Sequence, residues 1–549
     1  MKSLVLSAAL AVICSCADLG DADFINTSVG VTDNRGSNCV VGPRLPYGSI
    51  YPSPQTENGN TDGYDPASPI RGFAQMHVSG TGWSTYGHFL VSPQTGLSLG
   101  VDAHDSHHSE DVTKAYYYST NLDRYDIKAE IVPSHYCAMY RFTYPESKDS
   151  YVVLDASQCI MDIAKFQPRG KFSANSAEVD ADGKVRMMLN FEGGWPAEAY
   201  DLYLVGEFDR MPSETGVWSG ESVLPGVDAV AIAEDDASHI GAYARFDTSE
   251  REKVQLKLAV SFTSFEKAEE FLAAEMDGWD FDRKVDLARE EWNQKLSSIR
   301  ISTKDETERT LFYSSLFRFY TLASERTADN ARWDNLNSMI DRFEHNGTVY
   351  DGFIAGAERP SEQGGNDVDH IIAESYLKGI EGVDWEKAYA IVRRLSHAYE
   401  NRLIEYTNEP AFLVTRTFSD AGRPDLCSYW THEIMNTAYD MDGYPGNEDT
   451  GAMGSWYVFS AIGLFPNAGQ DYYYLNAPKY TESVLDLGDG RKLTIRSDAA
   501  PGKVYIKSCK VGGVEWNKPT ITHEELINAG LIEMELSDTP TDLCPDSSR

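Results

Sequence analysis

The sequence is poor in positive charge and shows no internal repeat, and each deficit excludes a class of protein. Its 549 residues carry 48 Lys and Arg against 85 Asp and Glu, which gives a formal net charge of −37. Nucleic acid and anionic membrane surfaces are therefore excluded as partners, because binding to phosphate groups needs clustered Lys and Arg. No repeat of about 20 to 50 residues recurs, which excludes a solenoid architecture.

The sequence also lacks CxxC motifs and, beyond its first residues, long apolar runs. Eight cysteines are scattered along the chain without CxxC spacing, at positions 14, 16, 39, 137, 159, 427, 509 and 544. This spacing disfavours zinc and leaves disulfide pairing undecided. Beyond residue 16, no apolar run approaches the roughly 20 residues that a membrane-spanning helix needs, so we expect a soluble protein.

The first 16 residues have the composition of an export signal, with Lys2 followed by a short apolar segment and small residues. The segment Ile13-Cys-Ser-Cys16 also resembles a bacterial lipoprotein cleavage site, which would place a lipid on Cys16. That lipid would be the protein's membrane attachment. A secreted protein and a periplasmic or cell-surface lipoprotein both stay open at this point.

The rest of the chain divides into a β-rich part, a helical part and a short return to β structure. With 42% hydrophobic residues the chain can form two to four domains, by the usual domain sizes. Residues 24–262 alternate short apolar runs with turn residues, which predicts a β-sandwich. The apolar period then predicts helices over 265–275, 285–295 and at about 305–325, 367–379, 385–404, 426–440 and 452–463. Strands are predicted again near residues 492 and 503.

An acidic loop just before an apolar helix is the most informative feature. Glycines at 443, 446 and 451 allow positive φ angles and a close approach of the backbone to a ligand. Glu448 and Asp449 supply hard oxygens for a proton or a cation. Because loops held by rigid elements often carry functional residues, we expect a site here.

Two further segments carry candidate binding residues. Asn408 and Glu409 precede Pro410 and are predicted in a turn or extended segment. An amide oxygen beside a carboxylate suits calcium, so Asn408, Glu409 and Asp449 together can supply part of its shell. The turn Gly80-Thr81-Gly82 either presents backbone groups to a ligand or is a simple hairpin, and it is no phosphate loop because no GK[ST] sequence follows.

Taken in order along the chain, these motifs resemble glycoside hydrolase family 92 from about residue 24 to residue 540. The matching segments are 71–96, 115–130, 376–380, Asn408-Glu-Pro410 and 446–457, and the block 442–466 is the most specific. The resemblance implies an N-terminal β-sandwich over 24–262, a helical linker over 263–297, an (α/α)6 toroid over 298–475 and a small C-terminal β structure over 476–549. It implies a calcium-dependent, exo-acting α-mannosidase that acts on mannose-containing glycans, namely N-glycans or mannan.

The resemblance also implies roles for individual residues. Family members invert the anomeric centre with two carboxyl groups about 6.5–9.5 Å apart, one protonating the leaving oxygen and one activating water. The matched positions imply Asp449 as the general base, aided by Glu448. The implied calcium ligands are Asn408, Glu409 and Asp449, and the mannose subsite would include Gly80, Thr81 and Gly82.

The chain departs from the family pattern where the catalytic acid should stand. The Glu-Gly-Asn segment that carries the acid is absent, and Tyr350-Asp-Gly-Phe353 leads directly towards Asn366-Asp-Val-Asp369 without the expected Trp-Asp-Thr-Tyr-Arg segment. Twelve toroid helices need about 190 residues, whereas 297–475 predicts about six helices, so we expect an incomplete toroid. Three functions stay open: an active α-mannosidase, a decayed or non-catalytic calcium-dependent glycan-binding homologue, and a purely structural sandwich protein.

Overall fold

The fold is that of a computed structural model of the chain. It describes residues 20–31, 36–59, 61–81, 84–100, 103–162, 170–193, 199–232, 239–321, 329, 350–354, 357–360, 375, 378–388, 412–413, 415–420, 422–541 and 543.

Two large β-sheets form the N-terminal part. Their strands are β1 (Ser53–Thr56), β2 (Ile70–Ala74), β3 (Leu90–Thr95), β4 (His108–Lys114), β5 (Tyr117–Leu122), β6 (Ile127–Pro133), β7 (Cys137–Thr143), β8 (Ser150–Asp155), β9 (Lys171–Val179), β10 (Val185–Glu192), β11 (Tyr200–Phe208), β12 (Glu214–Ser219), β13 (Ser222–Pro225), β14 (Ala229–Ile232), β15 (Ile240–Phe246) and β16 (Lys253–Ser261). The seven-stranded sheet has the order β1-β2-β3-β8-β15-β12-β13, and the nine-stranded sheet has the order β14-β9-β10-β11-β16-β7-β6-β5-β4.

The alternation of side chains along the strands explains why these sheets pack together. Strand β10 buries Val185, Met187, Leu189 and Phe191 in the core, while Arg186, between the first two, is exposed. Residues two apart on a strand share one face, so this pattern gives each sheet an apolar inner surface. The predicted β-sandwich is confirmed.

Two capped helices follow the sandwich. In α1 (Phe265–Glu275) the Ser264 side chain accepts a hydrogen bond from the Lys267 amide, and in α2 (Phe281–Leu296) Asp280 caps the Arg283 amide. Such caps satisfy amide groups that have no partner within the helix. Trp292 of α2 is fully buried and donates from Nε1 to the Arg44 carbonyl oxygen at 2.8 Å. The helices predicted over 265–275 and 285–295 are confirmed.

The remaining helices are α3 (Glu306–Phe319), α4 (Thr417–Asp420), α5 (Pro424–Ala438), α6 (Ala452–Ile462) and α7 (His523–Ala529). Helices α3 and α6 are antiparallel and closely packed, because a Cβ on Gly454 would lie 2.7 Å from the Ser315 carbonyl oxygen and one on Gly451 would lie 2.1 Å from that of Arg318. Helices α3, α5 and α6 confirm the predictions near 305–325, 426–440 and 452–463. The predicted helices at 367–379 and 385–404 lie largely outside the described residues.

Smaller sheets complete the fold. Their strands are β17 (Ile299–Ile301), β18 (Tyr350–Ile354), β19 (Ala357–Pro360), β20 (Leu464–Pro466), β21 (Tyr472–Leu475), β22 (Glu482–Asp486), β23 (Lys492–Ser497), β24 (Tyr505–Val511), β25 (Val514–Glu515), β26 (Thr520–Thr522) and β27 (Leu531–Ser537). A six-stranded sheet has the order β17-β22-β23-β27-β24-β25, a three-stranded sheet the order β20-β21-β26, and β18 pairs with β19. The predicted succession of β-sandwich, helical linker, helical domain and C-terminal β structure is confirmed.

The described residues also bear on disulfide pairing and on membrane-spanning helices. Cys39, Cys137, Cys159, Cys427 and Cys509 are all buried free thiols. Cys16, the predicted lipid site, lies outside the described residues. None of the helices in the described ranges is long and apolar enough to cross a membrane.

Candidate functional site

The acidic loop between α5 and α6 has an unusual backbone. Gly446 and Gly451 have φ angles of 151° and 109°, and Asp449 and Thr450, which are not glycines, have φ angles of 51° and 56°. Left-handed backbone is costly for residues with a side chain and persists only where the surroundings hold it in place. The loop therefore has to be held by neighbouring segments.

The sandwich provides that hold through three successive backbone amides of the loop. The amides of Glu448, Asp449 and Thr450 donate to the carbonyl oxygens of Ser37, Gly80 and Ser79 at 3.1, 3.0 and 2.9 Å. These bonds join the first residues of the sandwich domain and its 79–80 turn to a loop that lies more than 350 positions later in the sequence. The candidate site is thus an interface between the sandwich and the helical domain.

Gly80 is required for this contact. Its φ angle is 79°, and a Cβ atom would lie 2.6 Å from the Asp449 amide nitrogen and 2.7 Å from the Glu448 Cβ. Any side chain here would push the acidic loop away. The structure therefore brings together Gly80, Glu448 and Asp449, as expected for one site. Thr81 follows Gly80 and is partly exposed, and Gly82 lies outside the described residues.

The two acids of the loop differ in exposure. Glu448 is fully buried, and its Oε2 accepts a hydrogen bond from the Gly451 amide at 2.7 Å. It closes the turn that leads into α6, where the Met453 amide also donates to the Glu448 carbonyl oxygen. Asp449 is partly exposed. Of this pair, Asp449 is accessible to a water molecule or a sugar, while Glu448 is buried under the loop.

Positive charge lies beneath the loop. Arg318 near the end of α3 is buried, and its guanidinium group lies in the electrostatic field of Glu448. Burial works to lower the pKa of Arg318, but charge interactions, that with Glu448 among them, raise it, so the group stays charged. Burial in turn raises the pKa of the Tyr444 hydroxyl, with smaller contributions from Cys39 and Glu448. A charged Arg318 thus faces neutral phenol and thiol groups and the Glu448 carboxylate.

The predicted calcium ligands are described only in part. Asn408 and Glu409 lie outside the described residues, and among the described residues no group of three or more His, Cys, Asp or Glu side chains is placed to hold a metal ion. Of the predicted ligands the structure describes Asp449, whose side chain is partly exposed. A carboxylate oxygen is a ligand that calcium takes, and the set of Asn408, Glu409 and Asp449 stays a prediction.

An acidic cavity lies beside α3. Glu308 lines this cavity of about 410 Å³ with Asp440 and Asp442, and its carboxylate lies 3.0 Å from the Lys479 Nζ. Ten residues separate Glu308 from Arg318, which is about 15 Å along the helix. The cavity therefore lies at the opposite end of α3 from Arg318.

No motif in the sequence pointed directly to Ser37, Ser79 or Arg318. Arg318 does lie in an apolar segment, Leu316-Phe-Arg-Phe-Tyr320, and a charged residue in such a segment is a sign of a buried, fully bonded side chain. The two serines act through their backbone carbonyl groups, which have no sequence signature.

Comparison with known proteins extends this description. A sequence model of the glycosyl hydrolase family 92 N-terminal domain matches residues 24–261, and that of the family 92 catalytic domain matches residues 267–336 and 393–538. Together the matches cover more than half of the chain. The catalytic-domain match is interrupted between residues 336 and 393, the region in which the expected toroid segments are missing.

The solved structures of relatives share the fold of this chain, and one sequence relative has additional segments. A protein of Arthroderma benhamiae, described as an uncharacterized secreted glycosidase, is 21% identical over 719 residues, covering 93% of this chain and 92% of its own. Since 719 exceeds 549, the relative contains segments that this chain lacks. A family GH92 α-mannosidase of Bacteroides thetaiotaomicron has a TM-score of 0.82 at 17% identity and covers 97% of each chain. A GH92 inverting mannosidase of the same species has a TM-score of 0.76 at 18% identity and covers 96% of this chain and 98% of its own.

Proposed function

Because the chain belongs to glycoside hydrolase family 92, we propose that it is an exo-acting, inverting α-mannosidase that removes terminal α-linked mannose from N-glycans or mannan and requires calcium. The observation that supports this most directly is the Asp449 carboxylate, which is partly exposed and held in a left-handed turn against the Gly80 backbone. The solved relatives described above are named as mannosidases, one of them as inverting.

In this proposal Asp449 is the general base. It accepts the proton of a water molecule as that water attacks the anomeric carbon of mannose from the face opposite the leaving group. The backbone bonds to Ser79 and Gly80 hold the carboxylate in place before substrate arrives, so little reorganisation is needed during reaction. Glu448 fixes the turn through the Gly451 amide and keeps negative charge close to Asp449.

Calcium would be held by Asn408, Glu409 and Asp449, and when bound it would supply positive charge and hydroxyl coordination at the sugar. Gly80 and Thr81 belong to the sandwich wall of the mannose subsite, and Gly82 is proposed to extend it. The absent Glu-Gly-Asn segment leaves the leaving oxygen without an assigned proton donor. Substrates with good leaving groups need little protonation, so we expect aryl mannosides to be cleaved more readily than natural disaccharides.

A second candidate function follows from the interrupted catalytic-domain match between residues 336 and 393. In this alternative the chain is a non-catalytic or decayed homologue that binds mannose-containing glycans with calcium, because the sandwich and base loop persist while the acid is lost. In both cases we propose export, in keeping with the leader-like residues 1–16 and with a relative described as secreted.

The deciding experiment is to incubate the purified protein with calcium and two substrates, an aryl α-mannoside and α-1,2-mannobiose, each beside a chelated control. Cleavage of both substrates, lost on chelation, supports the complete mannosidase. Cleavage of the aryl mannoside alone indicates a base without an acid. Calcium-dependent binding of mannobiose without any cleavage, by folded protein, supports the glycan-binding alternative.

A further inference from the structure

Arg318 is buried at the junction of the two domains, and both terminal nitrogens of its guanidinium group donate hydrogen bonds. It is 1% exposed. Nη1 donates to the Val40 carbonyl oxygen, the Tyr51 hydroxyl and the Ser79 Oγ at 3.0, 2.9 and 3.5 Å, and Nη2 donates to the carbonyl oxygens of Thr27 and Val29 at 2.8 and 3.2 Å. A helix residue of the catalytic domain thereby joins several separate segments of the sandwich.

Those segments are the ones that hold the acidic loop. Ser79, whose hydroxyl accepts from Arg318 and from the Val40 amide at 3.1 Å, also offers its carbonyl oxygen to the Thr450 amide at 2.9 Å. The next residue, Gly80, accepts from the Asp449 amide. Two hydrogen bonds, joined by the chain of Ser79 and Gly80, therefore connect the guanidinium group to the backbone amide of the proposed base.

The main chain of Arg318 contacts the other end of the same loop. Its carbonyl oxygen lies 2.1 Å from the position that a Cβ on Gly451 would occupy, so the end of α3 lies directly against the residue that begins α6. The Arg318 side chain binds Ser79, which holds the acidic loop, and the Arg318 carbonyl group packs against Gly451 at the end of that loop. A shift of Arg318 would therefore change the position of Asp449 relative to the sandwich.

We propose that Arg318 is a positioning residue for Asp449, acting through Ser79 and Gly80. This inference rests on the proposed function only in naming Asp449 as the base. Arg318 does not touch the sugar in this proposal. Its role is to hold the turn at 79–80 in the register that presents the carboxylate.

The chain contains a matched control. Arg416 is also fully buried, and its guanidinium group binds the hydroxyls of Thr431 and Ser460 and the amide oxygen of Asn476 at 3.1, 2.8 and 2.9 Å. These partners belong to the helical domain and to the residue after β21, and none belongs to the sandwich. Replacing either arginine removes a buried guanidinium group, but only Arg318 is hydrogen-bonded to a residue that holds the acidic loop.

The test compares Arg318→Lys with Arg416→Lys, using hydrogen exchange of full-length protein and steady-state kinetics with an aryl α-mannoside. In Arg318→Lys we expect the amides of Asp449 and Thr450 to exchange about tenfold faster, while amides of the β10–β11 pair keep their rates. We expect kcat to fall about tenfold with little change in KM, since binding groups are intact and the base is displaced. Arg416→Lys should lower the melting temperature without changing exchange at Asp449 and Thr450.

Equal exchange at the loop in wild type and Arg318→Lys, or a uniform increase across the whole chain, would overturn the proposal. If Arg318→Lys does not fold, Ser79→Ala decides it, because this change removes one acceptor of the guanidinium group and leaves the Ser79 carbonyl oxygen in place. Faster loop exchange in Ser79→Ala supports the proposal and unchanged exchange overturns it. A wild-type protein without mannosidase activity would contradict the proposed function, and the exchange measurement would still decide the role of Arg318.

Discussion

The sandwich side and the helical side of the candidate site are built differently. On the sandwich side the family match is continuous from residue 24 to residue 261, and Ser37, Ser79 and Gly80 bind the acidic loop with short backbone hydrogen bonds. On the helical side the match stops at residue 336 and resumes at residue 393. The contacts that hold the loop of the proposed base therefore lie outside the interrupted region.

This difference bears on the choice between an enzyme and a glycan-binding protein. A general base needs a fixed carboxylate, and the sandwich holds the backbone of Asp449, the proposed base, through Gly80. A general acid needs a second carboxyl group on the opposite side of the sugar, and the family's acid-bearing segment is missing from the sequence. We therefore expect base chemistry to be easier to detect than acid chemistry.

Replacing the base should have the largest effect. Asp449→Asn keeps the size of the side chain but removes its ability to accept a proton, so we expect kcat for an aryl α-mannoside to fall by about 10³-fold. Thermal unfolding should change little, because the loop bonds to Ser79 and Gly80 are made by the backbone. Glu308→Gln, which changes a carboxylate on α3 about 15 Å along the helix from Arg318, is the control and should retain activity. Full activity of Asp449→Asn would remove Asp449 from the base role.

Displacing the same carboxylate from the sandwich side should have the next largest effect. In Gly80→Ala the new methyl group would meet the Asp449 amide nitrogen at 2.6 Å, so the loop has to move, and we expect kcat to fall by about 10²-fold. Gly96→Ala is a matched control, since Gly96 has a φ angle of 78° but no atom within 4 Å of its Cβ position. Both changes introduce the same backbone strain. Equal activity losses would show that strain, and not contact with the loop, is responsible.

A smaller effect is expected from the buried acid. Glu448→Gln keeps an oxygen that can accept from the Gly451 amide but removes the negative charge near Arg318. We expect about a tenfold loss of kcat and a loss of about 1 to 3 kcal/mol in the free energy of unfolding, measured by denaturant titration. A loss as large as that of Asp449→Asn, with unchanged stability, would instead indicate that Glu448 shares the role of base.

The parts of the molecule that could be predicted from sequence are those with a local signal. Helix α1 occupies the residues predicted for it because its apolar period is regular, and in the structure the Ser264 side chain caps it. Helix α2 begins at Phe281, four residues before its predicted start, because Asp280 provides a cap that the apolar period does not show. Glycines and paired acids likewise identified Gly80, Glu448 and Asp449.

The residues that hold the acidic loop in place had no such local signal in the sequence. Arg318 and Ser79 are 239 residues apart, and Ser37 and Tyr444 are 407 residues apart, yet each pair is hydrogen-bonded in the fold. Contacts of this range depend on how two domains meet and not on any local pattern. The roles of Asn408, Glu409 and Gly82 lie outside the described residues and stay predictions.

The two domains also differ in their buried histidines, which gives the smallest predicted effect. Burial lowers the pKa of His77 and His88 in the sandwich and of His432 in the helical domain to about 4 each. Each folded-state pKa lies below the unfolded value of about 6.5, so the unfolded chain binds more protons between these limits. The neutral histidines therefore contribute stability that is present above pH 6.5 and is lost as the pH falls towards 4.

Thermal unfolding measured from pH 7 to pH 4.5 should accordingly show a falling melting temperature, with a steeper fall for the transition that includes the sandwich. His432→Gln should flatten the pH dependence of the helical transition alone, because His432 binds the Ala477 carbonyl oxygen within that part of the chain. His88→Gln should do so for the sandwich, where His88 lies between the Gln158 carbonyl oxygen and the Tyr200 hydroxyl. If both variants changed one common transition, the sandwich and the helical domain would unfold as a single unit, and the interface at Arg318 would be strong enough to couple them.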